Sequence, residues 1–160
     1  RQLMSVEFIH QLAASNYTAK DKLKKFLESA IEAAMGNQGW HTLVLSREML
    51  SPSSHLDALR QGEVFIKFKA VFAILSEITG ISEDDPALLR CLISVVAPCS
   101  LLRVAKQSLS IINEGISEMP REALVEHLWQ FSLGGLEAVS RNHHNARNIL
   151  AHEEQDDEQN

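Results

Sequence analysis

Apolar side chains recur at three- and four-residue intervals along almost the whole chain, and this spacing commits it to helices. From Thr18 they fall at Leu23, Phe26, Leu27, Ala30, Ile31 and Ala34, one face of an amphipathic helix. Thr18 with Asp21 three residues on is a capping pair, and Gly36 a stop. Residues 1–15 also read as helical, through Leu3, Val6, Ile9 or His10, and Ala13. A short apolar-rich helix is expected from Trp40 to Leu50, closed by Ser51-Pro52-Ser53.

Ser54 can cap a long helix that carries Val64, Phe65, Phe68, Val71, Phe72, Leu75 and Ile78 up to Gly80. Val64 to Phe68 alone could pass for a strand, but the length of the pattern and the lack of hairpin signals favour helix, with Gly62 as its weak point. Asp85-Pro86 joins an N-cap to a proline at the first helical position and opens a strongly apolar helix past Leu102. Pro98 removes a backbone donor and crowds the Ser94 carbonyl, so a bend or break is expected there. Pro120 opens a last helix with Leu124, Val125, Leu128, Trp129, Phe131, Leu133, Leu136 and Val139.

The last two helices are apolar on more than one face, so each has to bury a second surface outside its own core, and a self-associating surface is expected. Gly134 and Gly135 each cost about 1 kcal/mol inside a helix relative to Ala, and close helix approach is one offset. After Arg141 the composition turns to Asn142-His143-His144-Asn145 and then an acidic end, read as a disordered tail over 142–160.

At 160 residues the chain fits one domain, with 45% hydrophobic and 22% charged residues, a balance that excludes wholesale disorder. Of the net charge of −6, Glu153, Glu154, Asp156, Asp157 and Glu158 hold five units, leaving the body nearly neutral. Without a basic stripe, nucleic-acid binding by these residues alone is disfavoured. The longest apolar run, Ala70 to Leu75, is far short of the roughly 20 residues that span a bilayer. The start at Arg1 rather than Met, and the polar Glu7, His10 and Gln11, argue against a signal peptide and for a piece of a longer cytoplasmic protein.

No phosphate-cradling glycine loop, nucleophile elbow or zinc-protease motif is present, and neither Tyr17 nor any serine shows an evident base beside it, so no enzyme is expected. Cys91 and Cys99 are eight helical residues apart, about 12 Å, too far for a disulfide, and read as small buried residues. His143, His144 and His152 with Glu153 and Glu154 form the densest histidine cluster, but adjacent histidines cannot share a helix face, and no metal or cofactor is expected. Lys20, Lys22, Lys24 and Lys25 spread around their helix and read as a solvated face. Arg47-Glu48, inside an otherwise apolar helix, either pairs with neighbours or faces a cavity walled by Trp40, Phe68, Phe72 and Cys91.

Trp40-His41 leading into Ser46-Arg47-Glu48-Met49, then Pro52-Ser53 and Leu56-Asp57-Ala58-Leu59, resembles a segment of the C-terminal domain of tetracycline-repressor (TetR) family regulators, in the CecR-like branch. Leu92-Ile93-Ser94-Val95-Val96, Cys99, Arg103, His127-Leu128 and Phe131-Ser132-Leu133-Gly134-Gly135-Leu136 continue the likeness, which spans roughly Leu23 to Val139. Ala97-Pro98 departs from the Gly-Gln usual in that branch.

The resemblance implies an all-α domain of about six helices over residues 1–141, with 1–15 as the connector from an N-terminal helix-turn-helix domain outside this chain. It also implies a homodimer joined by the last two helices as a four-helix bundle, a small-molecule effector, and DNA contact only through that other domain. With helical spacing it assigns Trp40, Val44, Arg47, Glu48, Phe68, Phe72, Cys91 and Val95 to an effector pocket. The dimer face would hold Ile93, Ala97, Arg103, His127, Gln130, Phe131, Gly134 and Gly135. The rival reading is a helical module that docks another protein and binds no small molecule. In a full-length protein, Arg47→Ala should change the effector dose response without unfolding the domain; an unchanged response retires the pocket role of Arg47.

Overall fold

The computed structural model describes residues 4–36, 57–108, 114–115 and 118–157, and of residues 57–65, 103–108 and 152–157 the backbone alone. Five helices carry most of the described residues, with no strand among them: α1 Val6–Ala13, α2 Ala19–Met35, α3 Asp57–Thr79, α4 Pro86–Ser108 and α5 Arg121–Asp157. The expected Trp40 to Leu50 helix lies outside the described residues.

The punctuation read from the sequence is what starts and stops these helices. The Thr18 hydroxyl accepts from the Asp21 N–H at 3.2 Å and donates to the Asp21 carboxylate at 2.7 Å, and α2 ends at Gly36. Asp85 caps α4 through Oδ1, which accepts from the Ala87 N–H at 2.8 Å, with Pro86 in the first turn. Ser5 caps α1, so that helix starts at Val6 and the helical stretch is shorter than residues 1–15. Gly80 takes φ +68° just past α3, the left-handed position that glycine fills without strain. The segment Val64 to Phe68 is helical, and α3 runs through Gly62. Pro98 lies inside α4, whose helix continues to Ser108 rather than breaking.

Helix α2 is the centre of the domain, touching each of the other four described helices. Its buried Leu23, Phe26, Leu27 and Ala30 join Ile9 and Leu12 of α1, Val71, Ile74 and Leu75 of α3, and Leu88, Cys91 and Val95 of α4 in one core. A smaller cluster of Ile31, Leu124 and Val125 packs the far end of α2 onto the start of α5. Fully buried side chains such as Leu23, Leu27 and Leu75 each contribute about 1.5–3 kcal/mol by leaving water.

The lysines of α2 are not simply a solvated face. Lys20 pairs with Glu137 at 2.8 Å and Lys24 with Glu126 at 2.8 Å, both on α5, while Lys22, buried along its stem, reaches Glu77 of α3 at 3.1 Å. Between the two α5 pairs, Trp129 donates from Nε1 to the Lys20 carbonyl at 3.0 Å, and the Lys24 ammonium sits 4.5 Å from its ring centre. Lys25 lies over Tyr17. At about 100° per residue, Lys20 and Lys24 share one side and Lys22 the other, so lysines around a central helix meet carboxylates on two neighbours.

Helix α5 also departs from expectation by running unbroken past Arg141 to Asp157. Residues 142–157 contain neither Gly nor Pro, and their first turn is anchored. Ser140 Oγ donates to the Thr79 carbonyl at 2.6 Å, and His144 Nε2 lies 3.2 Å from the same oxygen, which can only accept, so Nε2 carries the proton there. His143 faces Asp85 with Nε2 3.4 Å from Oδ2, within ion-pair reach but without hydrogen-bond alignment. These contacts fasten α5 to the end of α3, satisfying a carbonyl that the helix terminus leaves open.

The hydrogen bond and charge of Lys24 hold the Glu126 carboxyl below its usual range, and Lys20 does the same to Glu137. Groups whose pKa is lowered by folding add stability above their unfolded pKa and lose it as pH falls through the folded one. A Glu126→Gln, Glu137→Gln double variant should therefore melt below the parent at neutral pH, and the gap should close as pH falls through the lowered carboxylate range. Thermal unfolding followed by circular dichroism at a series of pH values checks this; a gap independent of pH would remove the ion pairs as its cause.

Candidate functional site

Helices α3 and α4, joined by the turn at residues 80–85, form a hairpin whose outer side holds a cavity of about 780 Å³. Phe68, Lys69 and Phe72 line it from α3, Glu83 and Asp84 from the turn, and Leu89, Leu92, Ile93, Val96, Ala97 and Ser100 from α4. The wall is mostly apolar, with polar groups confined to a few positions, the usual make-up of a small-molecule site.

The residues assigned to an effector pocket from helical spacing and the family resemblance divide between this cavity and the core. Phe68 and Phe72 line the cavity. Cys91 and Val95 do not: at 4% and 2% exposure they face the core, on the stripe Leu88, Cys91, Val95, Cys99. The cavity stripe is turned by about 100°, one residue along, to Leu92 and Val96. Helix α4 is apolar nearly all round, so its sequence does not say which stripe meets the core and which the cavity. Trp40, Val44, Arg47 and Glu48 lie outside the described residues.

Ile93 and Ala97, assigned to a dimer face, line this same cavity from its exposed side. On α5, Phe131 is 73% exposed, and His127 stacks on it with ring centres 6.3 Å apart. Gly134 and Gly135 are exposed, and a Cβ built on either meets nothing within 4 Å, so neither serves a close approach among the described residues. Gln130 donates to Glu126 at 2.8 Å and so belongs with the α2–α5 ion pairs. Arg103 lies on α4, with only its backbone described.

Glu83 and Asp84 were missed by the sequence reading, because a charged pair ahead of an N-cap reads as dipole complement. No group of three or more His, Cys, Asp or Glu able to hold a metal occurs among the described residues. No helix among them is long and apolar enough to cross a membrane.

Residues 19–136 match the family described as the C-terminal domain of the HTH-type transcriptional dual regulator CecR. The chain belongs to this family. The CecR C-terminal domain match runs from α2 through the first 16 residues of α5 and takes in the whole cavity. It places the chain among transcription regulators of the TetR type, which points away from catalysis. A search of curated proteins returned no match.

Burial raises the Cys91 thiol above its ordinary pKa, against a smaller opposing pull from the charge of Arg90. With little thiolate and 4% exposure, Cys91 should react with iodoacetamide only after denaturation. Mass spectrometry of the native protein after alkylation checks this; rapid labelling at Cys91 would show that α4 turns its other stripe outward.

Proposed function

We propose that this chain is the effector-sensing and dimerising part of a TetR-family transcription regulator, acting as a repressor in the cytoplasm. The observation that carries the reading is the apolar cavity between α3 and α4, inside the matched family region and within the roughly 300–1,000 Å³ typical of small-molecule sites. The effector is small and largely apolar. Contact with DNA belongs to a helix-turn-helix domain outside these residues.

Self-association is the second half of the proposal. Phe131, His127, Gly134 and Gly135 form an open face of α5 on which a second copy could lie closely, the glycines removing the side chains that would hold the helices apart. Effector binding then shifts the population between two dimer geometries, moving the recognition helices away from the spacing of about 34 Å that successive major grooves set.

Sedimentation velocity and native mass spectrometry test this reading. The expected species has about twice the 17.9 kDa of one chain, and Phe131→Asp should give a monomer with unchanged far-ultraviolet circular dichroism. A parent protein that stays monomeric across the micromolar range would overturn the dimer and favour a module that docks a different protein.

A further inference from the structure

We propose that the α3–α4 cavity selects an elongated amphipathic cation, its positive head at Glu83 and Asp84 and its apolar tail along Phe72, Phe68, Leu92 and Val96. This deepens the reading of the cavity as the sensing site and rests on it.

The cavity is polar at its ends and apolar between. Glu83 and Asp84 lie in the turn where α3 hands over to α4, and both line the cavity. Neither takes part in an ion pair or side-chain hydrogen bond with the described residues. The neighbouring Asp85 already caps α4 and faces His143, so Glu83 and Asp84 are not needed for the cap. Two carboxylates are thus left side by side at one end of an apolar trough, open to a cation. Lys69, the cation of the lining, does not neutralise them: it lies ten residues before Thr79, about 15 Å back along α3, beyond ion-pair distance from the turn.

Length follows from the same geometry. Leu89 to Ser100 spans eleven helical steps, about 16 Å of trough. A compact cation would leave most of the aromatic and aliphatic wall wet, and a neutral apolar molecule would leave the carboxylates unmatched. An elongated molecule with one positive end satisfies both. Because Glu83 and Asp84 are exposed, the charge acts mainly on selection, and the tail supplies most of the affinity.

Titration calorimetry of the whole chain with decyltrimethylammonium, decanol and decyl sulfate, each below its micelle concentration, tests this. The expected order is cation, then alcohol, then sulfate, with the cation about tenfold tighter than the alcohol. Glu83→Gln with Asp84→Asn should bring the cation to the affinity of the alcohol and leave the alcohol unchanged. Ala97→Phe, at an exposed position of the wall, should weaken all three if they occupy this trough. Equal affinity for cation and alcohol in the parent, or preference for the sulfate, would overturn the charge class while leaving the sensing cavity standing. No binding of any of the three, or binding indifferent to Ala97→Phe, would remove the cavity as a ligand site and the proposal with it.

Discussion

Everything in this domain depends on keeping α2 out of water. A helix of 17 residues with nine buried has to be enclosed from most directions, and α1, α3, α4 and α5 all close on it. Leu23, Phe26, Leu27 and Ile31 supply the bulk, and Ala30, Ala33 and Ala34 let neighbouring backbones come near. Enclosure forces a solution for the polar residues that amphipathic helices normally turn to solvent. Lys20, Lys22 and Lys24 solve it by extending along their apolar stems and ending on carboxylates of α3 and α5. Such exposed pairs add little energy one by one, and their larger effect here is alignment, because they fix how α5 slides along α2.

The hairpin of α3 and α4 takes its form from a similar balance. Gly80 turns the chain, Asp85 and Pro86 restart it, and Thr79 leaves a carbonyl that Ser140 and His144 cover. A Cβ at Gly80 would sit 3.2 Å from His144 Nε2, so the left-handed backbone angle calls for glycine there and the closeness of α5 leaves a side chain little room. The two hairpin helices cannot fill their own outer side, and the cavity is what remains.

Helix existence and most termini were legible in the sequence, because Thr18, Gly36, Gly80, Asp85 and Pro86 act locally and their chemistry reads from single residues. What stayed hidden is tertiary. The phase of α4 could not be read from a helix apolar on nearly every side, so nothing in it marked Leu92 and Val96, rather than Cys91 and Val95, as cavity lining. The roles of the α2 lysines depend on Glu77, Glu126 and Glu137, more than 50 residues away in the chain. The extension of α5 beyond Arg141 rests on contacts with Thr79 and Asp85 that composition alone does not announce.

Helix α3 is a partition with a different tenant on each side. Val71, Ile74 and Leu75 press on the core, where Ile9 and Leu12 of α1 are seated, while Phe68 and Phe72 hang on the side of the cavity. Only one helix diameter, about 10 Å, separates the two. Packed interiors resist compression, so any rotation of α3 would be felt on both of its sides at once.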